Sequence, residues 1–179
     1  MKQNRNGTVK TAWHGGDRFD VQIRRHAVRI DQPTDFGGGD TGPVPVELFV
    51  GSLAACVAHR AERYLHRCEL PAGVTVTAHY DLGLRPARVS RIDLVVDAPG
   101  LPEGLRESFI TVVEHSTVHN SLRLPPEITL QIRSAEGDPV LRRMGRAART
   151  WRRDTARRRS TWRSPAPEGH EATSLIRGL

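Results

Sequence analysis

The sequence predicts an α+β fold, with helices laid against antiparallel sheet. Three observations carry this. Short runs alternate apolar and polar residues, as half-buried strands do. Two longer segments, one after Pro45 and one with an apolar stripe through Phe109, read as helices between those runs. The resulting order is strands, helix, strands, helix, strand, with no internal repeat.

The first three strands are "TVKTAW", "RFDVQI" and "HAVRID", with Gly15-Gly16 between the first two as a hairpin requires. The loop "QPTDFGGGDTGPVP" follows, and its glycines and prolines exclude regular structure. Pro45 then stands at a natural first-turn position of a helix that runs to about Arg67. Leu48 to Ala58 carries no charge, so this half reads as a buried core helix, too short to cross a bilayer. After "LPAG" come the strands "VTVTAHYDL" and "RVSRIDLVVDA", joined by a turn around Pro86. A second helix is expected over "PGLPEGLRESFITVVEHS", with Leu105, Phe109, Val112 and Val113 on one stripe. Pro125-Pro126 precedes a last strand, "EITLQI".

Charge divides the chain. Residues 1–136 hold 16 basic and 16 acidic side chains, whereas residues 137–179 hold 11 arginines and 4 acids, so the whole net charge of +7 lies in the second segment. The expected organisation is one domain over 1–136 and an Arg-rich tail over 137–179, partly helical or disordered. In the tail, Leu141, Met144, Ala148 and Trp151 form a helical stripe. Trp151 and Trp162 beside arginines suit a nucleic-acid arm. However, only two of the 27 basic residues are lysines, a bias that fits GC-rich coding, so nucleic acid is not the expected partner. With no apolar run of about 18 residues and no signal-like N-terminus, the expected compartment is the cytoplasm, without membrane attachment. Two cysteines there are expected to be free thiols.

Cys56 lies in the uncharged half of the first helix, after the small residues Ala54 and Ala55, which let another backbone approach the sulfur. His59 and Arg60, three and four residues on, fall on its face, and a cation there favours the thiolate, the reactive form. A small buried hydrophobe is the plainer role for such a cysteine. Cys68 is too far to be its partner: at about 1.5 Å rise per residue the two stand roughly 18 Å apart on one helix. A disulfide needs Cα atoms within about 7 Å.

The stretch "VEHSTVHNSL" sets a serine, two histidines and an asparagine near a helix end. Ser116 follows the apolar stripe of the second helix and so points to the core, where it would bond a carbonyl one turn back. His115 and His119 are spaced to share a metal, but no third ligand is evident, and no metal or cofactor is expected.

Together, "GGGDTGPVPVELFVGSLAACVA" and "VEHSTVHNSL" resemble the two motif segments of the OsmC / organic hydroperoxide resistance family, and "HAVRIDQP" resembles its more general OsmC-like branch. The likeness runs over roughly Val9 to Ile132. It implies an OsmC-like fold, an intertwined homodimer with two long helices buried between antiparallel sheets. It also implies thiol chemistry, in which one cysteine attacks a hydroperoxide and a second resolves the sulfenic acid as a disulfide. The attacking cysteine carries over to Cys56, and the second cysteine falls at Ser116. Two further departures are Val46, where the reducing branch has glutamate, and Arg18, displaced by one residue from the arginine of that branch.

Two functions follow as expectations. One is a thiol-dependent hydroperoxide reductase with Cys56 as its single redox cysteine, Arg18 holding the thiolate, and an external thiol as reductant. The other is a non-catalytic OsmC-like stress protein that binds a small apolar ligand at the dimer interface.

Overall fold

The computed structural model describes residues 7–135 and 139–144. Three strands come first: β1 (Val9–Trp13), β2 (Phe19–Ile23) and β3 (His26–Ile30), paired antiparallel in that order. Gly15 and Gly16 turn the β1–β2 hairpin with positive φ, 97° and 57°. A second sheet pairs β4 (Thr75–Leu84) with β5 (Ala87–Asp97), and a third pairs β6 (Ile128–Ile132) with β7 (Val140–Met144). All of these pairings are antiparallel, which gives the α+β class that the sequence predicts.

The glycine-rich loop after β3 is tied down by one carboxylate. Asp31 is fully buried. Its oxygens accept from the N–H groups of Gln32 (2.8 Å), Gly39 (3.1 Å) and Thr41 (3.1 Å) and from the Thr41 hydroxyl (2.7 Å). The Thr41 hydroxyl bond contributes most to holding the Asp31 carboxyl below the usual carboxylate range; burial opposes the shift, and the three N–H groups add to it. The loop runs so close to β3 that a Cβ at Gly38 would stand 1.9 Å from the Gln32 carbonyl oxygen. Glycine is required there because no side chain fits.

That loop delivers the chain to α1 (Pro45–Arg67). Pro45 occupies the first turn, where its missing N–H costs nothing. The Glu47 carboxylate reaches back to accept from the Val44 N–H at 2.8 Å, satisfying one donor at the helix start. Val50, Leu53, Val57, Ala61, Tyr64 and Leu65 form the buried face, spaced three and four residues apart as one side of a helix must be. Fully burying a side chain such as Leu65 contributes about 1.5–3 kcal/mol. The core gathers Ala61, Tyr64 and Leu65 with Phe109, and Val74, Val96 and Leu101 pack around them. Tyr64 and Phe109 meet edge to face, ring centroids 5.5 Å apart. The Tyr64 hydroxyl also hydrogen-bonds Ser108.

Two expectations are corrected. The second long helix is not continuous: a 3-10 turn (Glu103–Leu105) leads into α2 (Arg106–Val113), the chain breaks, and α3 (Thr117–Arg123) starts afresh. Ser116 therefore does not continue the stripe of α2, nor does its hydroxyl bond back to a carbonyl. It stands in extended backbone (φ −69°, ψ 151°) as the N-cap of α3. Nor is Leu141 to Met144 helical: this segment is strand β7, paired with β6 from Ile128↔Met144 to Ile132↔Val140. Two apolar residues three apart are too short a pattern to specify a helix, and pairing with β6 makes this segment a strand. The expected positions Ala148, Trp151 and Trp162 lie outside the described residues.

The sheets leave apolar surface uncovered within one chain. Ile128, Leu130 and Ile132 alternate onto one face of β6 and are 54%, 42% and 57% exposed. An isolated two-stranded hairpin is at best marginally stable in water, so such a face needs cover.

Candidate active site around Cys56

The break between α2 and α3 is what makes the site. It turns the start of α3 toward α1, where Cys56 sits on the edge of the buried face, half-buried. The first N–H groups of a helix have no partner within it, and they point outward from its start. At α3 one of them, from His119, donates to the Ser116 side-chain oxygen at 3.3 Å. Two others, from Thr117 and Val118, act on the Cys56 sulfur, as does the Ser116 hydroxyl itself.

The electrostatic balance at the thiol has opposed parts. Burial is the largest single influence and disfavours the charged form. Against it stand the Val118 N–H, the Ser116 hydroxyl, the Thr117 N–H and the positive charge of Arg60, in that order of importance. Together they prevail, and the Cys56 pKa lies below the ordinary thiol value. A thiolate, rather than a thiol, is the nucleophile in cysteine chemistry. The arrangement sets three groups that favour the thiolate form, the Thr117 and Val118 N–H groups and the Ser116 hydroxyl, beside a sulfur that opens on a cavity.

That cavity measures about 320 Å³ and is lined by Cys56, Thr117 and Val112, and by the basic side chains His59, Arg60, Arg63 and Arg67 of α1. Thus Cys56 and Ser116 are brought together, although they are 60 residues apart in the chain. Arg18 is placed elsewhere. It directly precedes β2, its guanidinium Nε–H donates to the Gly15 carbonyl at 3.2 Å, and it does not line the cavity of its own chain. Glu47 is committed to the start of α1, and Val46 beside it is half-buried. Cys68 is the exposed C-cap that follows α1, the helix that carries Cys56. His115 bonds the Thr111 carbonyl through Nδ1 at 2.7 Å, and no cluster of three metal-ligating side chains occurs among the described residues.

Sequence reasoning missed the Thr117 and Val118 N–H groups and the arginines beyond Arg60. A signal for the first was present: a serine directly before "TVHNSLR" is a helix N-cap pattern.

A family model described as OsmC-like protein matches residues 37–131, more than half of the chain. The chain belongs to the OsmC-like family. No curated protein matches this OsmC-like chain by sequence. Among solved structures, it is similar to a protein of Psychrobacter arcticus described as an osmotic stress induced and detoxification response protein. The TM-score is 0.59 at 21% identity, over 68% of this chain and 91% of that one. It is also similar to an OsmC-like protein of Mycoplasma pneumoniae, with TM-score 0.58, 15% identity, and 68% and 89% of the two chains covered. An organic hydroperoxide resistance protein OsmC of Legionella pneumophila aligns with TM-score 0.52 at 21% identity, over 68% and 92% of the chains. At these identities the likeness shows the OsmC-like fold. No helix among the described residues is long and apolar enough to cross a membrane.

Proposed function

We propose that this OsmC-like protein is a stress-response hydroperoxide reductase of the cytoplasm that works with one redox cysteine. The observation that carries this is the set of donors around Cys56, which favours the thiolate against burial. The Cys56 sulfur attacks one oxygen of a hydroperoxide and the O–O bond breaks. The leaving alkoxide takes a proton and departs as an alcohol, and Cys56 is left as a sulfenic acid. Ser116 has no sulfur with which to form the disulfide that a second cysteine would give. An external thiol therefore resolves the sulfenic acid, releasing water and, after a second thiol attacks, free Cys56.

The uncovered apolar face of β6 supports a homodimer as the working form. Arg18 does not line the cavity of its own chain, so the role of holding the thiolate falls to the Thr117 and Val118 N–H groups, the Ser116 hydroxyl and Arg60.

A second reading, a non-catalytic protein that binds a small apolar ligand, draws on a groove of about 600 Å³ bordered by Val96, Leu101, Phe109, Ile110 and Val113. Brief treatment with an organic hydroperoxide in the presence of a sulfenic-acid trap separates the two. The reductase gives a trapped adduct at Cys56 by mass. An unmodified Cys56 overturns it in favour of the binding protein.

A further inference from the structure

The Cys56 cavity has one wall of unusual charge. Arg60, Arg63 and Arg67 follow Cys56 on α1 by four, seven and eleven residues. At about 100° per residue all three return to within roughly 40° of Cys56 around the axis. At about 1.5 Å rise per residue they stand roughly 6, 10 and 16 Å farther along it. All three line the cavity, and no acidic side chain does. None of the three forms a salt bridge with an acidic residue among the described residues; the ion pairs of arginine there belong to Arg29, Arg91 and Arg106. Val112 is the single bulky apolar side chain of the lining, so an alkyl chain would bury little there. A polar molecule with several negative groups fits better.

We infer that Arg60, Arg63 and Arg67 form an anion-binding edge, and that its occupant is a low-molecular-weight thiol carrying carboxylates, the reductant of oxidised Cys56. The inference rests on the hydroperoxide reductase reading above. A one-cysteine reductase must admit a second thiol to the same sulfur that met the peroxide, and the guanidinium row supplies a track that ends there. The chemistry balances. The thiol sulfur attacks the Cys56 sulfenic acid, an S–S bond forms, the S–O bond breaks, and the hydroxyl leaves as water with the thiol proton. A second molecule of the thiol then attacks the mixed disulfide at the sulfur of the first. Cys56 is restored, and the small disulfide carries away the two electrons' worth of oxidation taken from the hydroperoxide. Guanidinium charge also favours the thiolate form of the incoming reductant, the form that attacks.

The edge is tested in the full chain carrying Cys68→Ser, first without peroxide. Cys56 is reacted with 5,5′-dithiobis(2-nitrobenzoate), which bears two carboxylates, and with uncharged 4,4′-dithiodipyridine. The double variant Arg63→Gln/Arg67→Gln, at two exposed positions that leave Arg60 beside the sulfur, should slow the first reagent by about tenfold and the second by less than about twofold. Arg63→Lys/Arg67→Lys should keep most of the rate, and added salt should erode it. An equal effect on both reagents, or none, overturns the anion edge. The occupant is tested on Cys56 sulfenic acid made with uncharged cumene hydroperoxide, by comparing glutathione with its diethyl ester. Glutathione should resolve it about tenfold faster, and the double glutamine variant should remove that advantage. Equal rates overturn the reductant assignment. So does a carboxylate advantage confined to sulfenic acid formation, when a carboxylated hydroperoxide is set against its methyl ester. If no sulfenic acid forms, the reductase reading fails and the reductant assignment falls with it, while the disulfide comparison still decides the edge itself.

Discussion

Ser116 caps α3 with the same hydroxyl that faces the Cys56 sulfur: its oxygen accepts from the His119 N–H while the group favours the thiolate. One side chain thus links the stability of a helix start to the ionisation of a thiol on another helix. A cysteine in this place is a poorer cap, since sulfur is a weak acceptor.

Replacing Ser116 separates its two roles. Ser116→Ala should cost about 0.5–2 kcal/mol of stability through the lost cap, read from urea unfolding. It should also raise the Cys56 pKa, because a donor to the thiolate is gone while burial remains. The pH profile of Cys56 alkylation by iodoacetamide in a Cys68→Ser background then moves to higher pH. An unmoved profile would mean that the hydroxyl does not act on the sulfur.

Ser116→Cys should restore a second thiol beside the first. In the Cys68→Ser background, one equivalent of hydroperoxide should give a disulfide between positions 56 and 116, identified by peptide mass. The parent should stop at sulfenic acid or over-oxidise, because Cys68 lies too far along α1 to reach Cys56 in its own chain. No bridge in the variant would count against the proposed correspondence with the second cysteine.

Asp31→Asn should loosen the loop that delivers α1. The folded pKa of Asp31 is depressed, so its contribution to stability is fully present above the ordinary carboxylate value of 3.8 and is lost as pH falls through the folded pKa. The melting temperature of the variant should lie below that of the parent at neutral pH, with the gap closing in acid below 3.8. A gap independent of pH would assign the loop's stability to the backbone instead.

Phe109→Ala should cost about 3–5 kcal/mol, the usual loss for an aromatic ring taken from a packed core. The ring is 5% exposed and packs edge to face on Tyr64. Because α2 leads into the turn that positions α3, Cys56 alkylation in this variant should also approach that of an ordinary thiol. Loss of stability with an unchanged alkylation profile would show that α3 holds its place without α2.

The proposed homodimer predicts a sedimentation coefficient of two chains at micromolar concentration. Leu130→Arg, on the uncovered face of β6, should shift the population toward single chains with lowered stability. A stable folded monomer in the parent would overturn the dimer.

Local rules account for most of the elements. The alternation in "RFDVQI" and "HAVRID" needs only the two-residue period of a strand, and the structure has strands there, Phe19–Ile23 and His26–Ile30. Pro45 and the run to Arg67 needed only helix geometry, and α1 ends at Arg67. The same rules determined that Cys68 cannot meet Cys56 along α1, because rise per residue is a property of the helix alone. The break at Ser116 was not decided in this way. The stripe of Leu105, Phe109, Val112 and Val113 continues at helical spacing through Ser116, and only the buried seat of Ser116 as a cap, 0% exposed, favours ending α2 before it. Leu141 to Met144 likewise satisfied a helical spacing until β6 offered a partner strand. The charge state of Cys56 depended on tertiary structure most of all. Its neighbours in sequence supply Arg60, but the N–H groups of Thr117 and Val118 come from a helix start some 60 residues away. The serine before "TVHNSLR" signals a helix start, but backbone donors carry no residue identity, and only the meeting of α1 with α3 places them on the sulfur.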